Sequence, residues 1–187
     1  EILMRDDTAI VLDFLPRGKS GYRKPEALAQ VIGEKYFSLL EVIIKADQIV
    51  KQGDPVYIGD NERKEVDHIK RRIKINELTT FARSELPFMI EKMVKENQDR
   101  FIQVFNTAQP ISTRQHQLEL MPGVGKKHMW DIIKERKKSP FKDFEDLHIR
   151  VKLLPDPQQM IVKRILQELE DDNIRFRLFV SGPPKRF

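Results

Sequence analysis

Cysteine is absent from the 187 residues, which excludes disulfides and thiolate metal sites and fits a reducing compartment. The four histidines do not replace it, because none has the spacing of a zinc ligand set, so neither a metal nor any other cofactor is expected. No stretch approaches the roughly 18 apolar residues that span a bilayer, and the N-terminus lacks a charged start followed by an apolar run. A soluble, cytoplasmic protein with no membrane partner is the expectation. Also lacking is any nucleophile paired with a base, or a carboxylate cluster without a simpler role, and the chain is not expected to be an enzyme.

What is present is charge and enough apolar content for two small cores. The chain holds 34 Lys and Arg against 29 Asp and Glu, a net +5, too mild an excess to imply a polyanion by itself. Its distribution is more telling. Residues 106–138 carry seven basic and three acidic side chains, while residues 1–76 carry 14 and 13. Nearly all the surplus sits in one short segment.

An α+β architecture follows from the periodicities. Residues 1–76 read as short strands: Ala9 to Phe14 ends at Leu15-Pro16-Arg17-Gly18, Tyr36 to Ile44 is apolar on both faces, Pro55 to Gly59 follows a Gly53-Asp54 turn, and His68 to Ile75 closes the series. Between the first two, Glu26 to Ile32 has Pro25 before it and Gly33 after it, the pattern of a short helix. Strands at this spacing suggest a small closed or nearly closed β-barrel of the oligonucleotide-binding (OB) kind. From Leu78 the period lengthens to between three and four. Residues 77–106 read as a helical linker, capped by Thr79 or Thr80, with Pro87 starting a second helix and with Leu86, Ile90, Met93, Val94, Phe101, Val104 and Phe105 as its packing stripe.

Residues 107–187 contain the most informative segment. Ser112 and Gln115 form a capping-box pattern for a short helix bearing Leu118 and Met121. Pro122-Gly123 then breaks it, Val124 is an apolar plug, and Gly125 is expected at positive φ before a second helix from Lys126 to about Lys138. That helix buries Met129, Ile132 and Ile133 and presents Lys134, Arg136, Lys137 and Lys138. Two glycines leave room for a phosphate, and the unpaired N–H groups opening the second helix point at it with the positive end of the helix dipole. Backbone contacts of this type set position, not sequence. The candidate nucleic-acid site is therefore Gly123, Val124, Gly125, Lys126, Lys127, His128, Lys137 and Lys138.

Leu120-Met121-Pro122-Gly123-Val124-Gly125-Lys126-Lys127 resembles the signature of helix-hairpin-helix domains, and Ser139 to Leu147 resembles the connector of tandem versions; together they cover about residues 112 to 170. Met129 departs from the pattern, where the family usually has Ala. Val151-Lys152-Leu153-Leu154-Pro155-Asp156-Pro157 stands where a second hairpin belongs but has no glycine, so it and the helix from Gln158 to Glu170 are read as a degenerate packing partner. Over its whole length the chain resembles an archaeal family of uncharacterised proteins with a C-terminal helix-hairpin-helix domain, regarded as candidate RNA binders. That resemblance implies a nucleic-acid partner, with RNA slightly favoured over DNA. A protein-interaction module within a DNA-repair or translation-associated assembly is the alternative.

Other constellations carry less. Pro16 to Pro25 places Arg17, Lys19, Tyr22, Arg23 and Lys24 with two glycines in one loop. The composition suits a backbone-tracking loop with a stacking aromatic as well as it suits a solvated surface loop. Gly18-Lys19-Ser20 is not a P-loop, which needs a glycine where this chain has Asp13. Arg71, Arg72 and Lys74 are placed to extend the same surface across the barrel, but charges guarding an edge strand are the commoner explanation. Trp130, the single tryptophan, has the side chain to stack on a base, but on a helix beside a core it is more often a partly buried anchor. Asp143, Glu145 and Asp146 invite a metal-site reading, but Asp143 followed by Asp146 fits a helix N-cap with its N3 partner better. Arg175 to Val180 alternates like a strand and is expected to pair with the N-terminal sheet.

Overall fold

A computed structural model describes residues 5–21 and 24–183. Five strands, β1 (Thr8–Leu15), β2 (Leu28–Gly33), β3 (Leu39–Ile44), β4 (Pro55–Tyr57) and β5 (Val66–Arg72), precede five helices. The helices are α1 (Thr80–Glu96), α2 (Gln98–Thr107), α3 (Lys126–Lys138), α4 (Phe144–Arg150) and α5 (Pro157–Glu170). Two compact units divide the chain, one made of Glu1–Met89 with Glu168–Phe187 and the other of Ile90–Gln167.

In the first unit the strands form one antiparallel sheet in the order β4-β1-β2-β3-β5. Its register slips between Val11 and Asp13, between Glu41 and Val42, and between Ile43 and Ile44. Such bulges bend strands and increase twist, and the sheet curls into a half-barrel. Among the described residues no ladder joins β4 to β5, so it is not closed by strand pairing. Ala9, Val11, Ala29, Val31, Val42 and Ile44 fill one face with Val50, Val56, Ile58 and Val66. By the period of two, Leu28, Gln30 and Ile32 point the other way, yet they are buried as well.

That two-sided burial explains a correction. Residues 26–32 do not form a helix; they enter β2, all six of whose residues are buried between β1 and β3. A short run apolar on both faces has no periodicity to separate helix from strand, and pairing on both sides overrides the helix preference of Glu, Ala and Leu. The following strand also starts later than expected. Phe37 takes a φ of 56° in the β2–β3 connection, where the Asp6 carboxylate accepts the N–H groups of Lys35, Tyr36 and Ser38 at 2.8, 2.9 and 3.3 Å.

The second face of the sheet holds a polar cluster. Glu41, 1% exposed, accepts from Gln30 Nε2 at 2.9 Å, Lys19 Nζ at 2.6 Å and Arg71 Nε at 2.8 Å. Gln30 Oε1 in turn accepts the N–H of Thr79 at 2.8 Å, and Arg71 reaches on to Glu77 at 2.7 Å. Burial pushes the Glu41 carboxyl upward, but the hydrogen bonds from Lys19 and Gln30 and the charges of Lys19 and Arg71 outweigh it, leaving its pKa below the ordinary 4.5.

Two further expectations change. Pro87 lies inside α1 and does not start a helix; burial of Leu86, Met89, Ile90, Met93 and Val94 along the same face holds the helix together through it. The break falls instead at Asn97, whose backbone leaves the helical region and whose side-chain amide donates to the Met93 carbonyl at 2.7 Å. At the C-terminus no strand forms in residues 171–183. The Glu168 carboxylate accepts the consecutive N–H groups of Leu178, Phe179 and Val180 at 3.0 to 3.1 Å, a geometry that consumes the donors a strand would offer. The segment still reaches the sheet, because Arg72 donates to the carbonyls of Ser181 and Gly182 at 2.6 and 2.8 Å and Ser181 N–H donates to Tyr36 at 3.2 Å.

In the second unit Phe101, Phe105, Leu118, Ile132, Leu147 and Ile161 lead the core. Each is presented by a different turn of helix, so the two sharp turns before α3 and α5 are held on packed elements rather than hung on free loops.

Candidate nucleic-acid interface

The approach to the first turn is built by His116, not by Ser112. Ile111 and Ser112 both donate backbone N–H to Gln115, and a 3-10 turn begins only at Gln117, ending at Leu120. His116 Nδ1 accepts the N–H of Leu118 at 3.0 Å while Glu119 Oε1 accepts the N–H of His116 at 3.0 Å. Accepting at Nδ1 requires the neutral ring. Burial first, then the nearby charges of Arg136 and Lys126, hold the His116 pKa below its ordinary 6.5 against the opposing pull of Glu119.

Met121-Pro122-Gly123-Val124 then folds as a type II turn, with Val124 N–H donating to Met121 at 3.1 Å and Gly123 at a φ of 88°. The positive φ thus falls on Gly123. Gly125 is extended instead, with φ −93° and ψ −169°, and serves as the N-cap of α3. This corrects the expected assignment: proline fixes φ at the second turn position, and in a type II turn the left-handed third position is Gly123. A Cβ on Gly123 would stand 3.1 Å from Pro155 Cγ, whereas one on Gly125 would meet nothing within 4 Å. Val124 is buried, as a plug should be.

No side chain caps α3. Its first turn carries Lys126, Lys127 and His128 and no acidic residue, the reverse of what the dipole favours. The cations are not equivalent. Lys126 Nζ donates to the Arg114 carbonyl and to Glu119, each at 2.8 Å, so it staples the turn. Lys138 is paired with Glu135. His128 Nδ1 lies 3.3 Å from the Gly123 carbonyl. Lys127 and Lys137 are exposed and make no hydrogen bond or ion pair among the described residues. Of the expected set, Gly125 and Lys127 come together at an open helix start; Lys137 stands at the far end of the helix.

The second turn repeats the first without glycine. Leu154 N–H donates to Val151 at 3.4 Å, Leu153 takes a φ of 65°, and Leu154 is buried where Val124 is buried in the first. Here the helix start is filled. Asp156 Oδ1 accepts the N–H groups of Gln158 and Gln159 at 2.9 and 3.4 Å, putting a carboxylate where α3 offers free donors. Asp156 and the His116–Glu119 cap escaped the reading of the sequence, although Asp before Pro157 is an N-cap signal. Asp143 caps α4 by accepting the Asp146 N–H at 2.8 Å.

In the first unit, Arg17 and Lys24 are exposed, while Lys19 is held by Glu41. Tyr22 and Arg23 lie outside the described residues. Arg71 and Arg72 do more than guard the edge strand β5: they hold the buried carboxylate and the C-terminal segment. Lys74 pairs with Asp172 at 3.1 Å. Trp130 is no buried anchor; it is 63% exposed. Among the described residues no three His, Asp or Glu side chains gather as a metal site, and no helix is long and apolar enough to cross a membrane.

The model of a family described as "Protein of unknown function (DUF655)" matches residues 5–181. An uncharacterized protein of Methanocaldococcus jannaschii, MJ0038, is 42% identical over 177 residues, which cover 94% of this chain and 80% of that one. Among solved structures, Af1531 from Archaeoglobus fulgidus, itself described by the same family, superposes with a TM-score of 0.85 at 46% identity, over 94% of this chain and all of that one.

Proposed function

This chain belongs to the DUF655 family, and we propose that it is a nucleic-acid-binding protein that grips phosphate through the Gly123–Lys127 hairpin, a helix-hairpin-helix, without reading sequence. The observation that carries the reading is the open start of α3. Three features coincide there: no side-chain cap, empty space beside Gly125, and lysines that oppose the helix dipole. A bound phosphate would satisfy the free N–H groups and turn the dipole conflict into an attraction. The contrast with Asp156 supports it, since the neighbouring turn supplies its own carboxylate and needs no anion.

We read the half-barrel as OB-like, and with the family resemblance it tilts the choice toward RNA. The second reading, docking of a protein partner, draws on Leu153 and Ile149, which are 85% and 70% exposed. The two separate in an assay of the purified chain against generic RNA and DNA at two salt concentrations. About three neutralised phosphates give a log–log slope of affinity on salt near −2 to −3. Affinity for neither polymer at low salt, or a flat salt response, would sink the nucleic-acid reading.

A further inference from the structure

We infer that the exposed face of α3 is a platform for an unpaired nucleic-acid strand, with Trp130 stacking on a base and Lys127, Lys134 and Lys137 holding the flanking phosphates. The inference rests on the phosphate-gripping reading above and names the form of its substrate, single-stranded rather than duplex. Lys127, Trp130, Lys134 and Lys137 follow one another at three, four and three residues, so they share one helix face. Met129 and Ile132 are buried on another. All four side chains of the first face are exposed.

Packing gives Trp130 no reason to be there. An indole is the largest apolar side chain, and leaving 63% of it in water forfeits most of the stabilisation that its burial would bring. The three lysines beside it make no hydrogen bond or ion pair among the described residues, while Lys126 and Lys138 at the two ends of α3 are already engaged by Glu119 and Glu135. An aromatic face interleaved with exposed cations is complementary to a base between phosphates, and stacking of this kind tolerates any sequence. Trp130 lies five residues beyond Gly125, about 7.5 Å along the axis at 1.5 Å per residue. A single strand whose bases have opened beyond the 3.4 Å rise of a stacked duplex spans that distance in about one to two nucleotides. A strand whose phosphate rests on the hairpin therefore brings a neighbouring base over the indole. In a duplex that base face is covered by its stacked neighbours.

Because Trp130 is the only tryptophan, its fluorescence reports the contact directly. The full chain is titrated with end-labelled ten-nucleotide uridine and thymidine strands and with a labelled hairpin duplex, following label anisotropy and tryptophan emission together. Quenching by either single strand, in step with binding and without quenching by the duplex, supports the platform. Trp130→Ala is expected to weaken single-strand binding about tenfold while leaving duplex affinity within about twofold, and Trp130→Phe to restore most of the loss. Single strands that bind with unchanged emission, or an equal loss for strand and duplex in Trp130→Ala, overturn the platform and leave the hairpin reading standing. No anisotropy change with any of the three overturns both. Emission that shifts to the blue with protein concentration alone assigns the face to a second copy of the chain and likewise overturns it.

Discussion

Gly123 and Pro155 meet where the two sharp turns of the helical unit touch: a Cβ on Gly123 would lie 3.1 Å from the proline Cγ, and the glycine is already at a φ of 88°. Gly125, two residues on, has neither constraint. The two glycines of the hairpin therefore meet different demands: Gly123 is fixed by the turn and its packing, and Gly125 by neither.

Gly123→Val should cost about 1–3 kcal/mol of stability, from the left-handed backbone and the crowding together. Gly125→Asp should behave oppositely. It supplies the side-chain cap that α3 lacks, so stability is expected to hold or rise by a few tenths of a kcal/mol, while nucleic-acid affinity falls at least about tenfold because a carboxylate now occupies the phosphate position. Urea melts and binding isotherms on the two variants check this. Undiminished affinity in Gly125→Asp would remove the hairpin from the binding surface.

Leu153 sits at a φ of 65° with 85% of its surface exposed. A left-handed leucine costs about 1–2 kcal/mol, and glycine returns part of that through the flexibility it adds to the unfolded chain. Leu153→Gly is expected to raise stability by about 0.5–1 kcal/mol, read as a higher urea midpoint at unchanged slope.

His116 gives the helical unit a dependence on pH. Its folded pKa lies below the ordinary 6.5, so below that value the unfolded chain binds the proton that the folded ring refuses, and stability falls as pH drops. The contribution is intact above about pH 7 and declines from about 6.5 downward through the folded value. Melting temperatures between pH 8 and 5 should show this slope, and His116→Asn, which keeps an acceptor for the Leu118 N–H but does not titrate, should flatten it.

Glu168 holds three consecutive N–H groups of the C-terminal segment. Glu168→Gln leaves one acceptor oxygen and no charge. It should destabilise the chain by about 2 kcal/mol, in the range of charge-assisted hydrogen bonds, and hydrogen exchange at Leu178, Phe179 and Val180 should speed up first. Unchanged protection there would show that the carboxylate is not what orders the segment.

Much of this protein is determined locally. The start of α3 after Gly125, its end near Lys138, the buried Val124 plug and the Asp143 cap follow from proline, glycine, aspartate and an apolar period acting over a few residues, and were legible for that reason. The same holds for β1, β4 and most of β5. The hairpin motif, too, is a local signal. What only the tertiary structure decided are the places where distant groups compete for one segment. Pairing on both sides made 28–33 a strand; a packed face carried α1 through Pro87; and Glu168 drew in the backbone donors of residues 178–180 that alternation had assigned to a sheet. Which cations are tied down was settled the same way: nothing in the sequence sets Lys19, Lys126 and Arg71 apart from the other basic residues, and only the placement of Glu41 and Glu119 pairs them while Lys127 stays exposed.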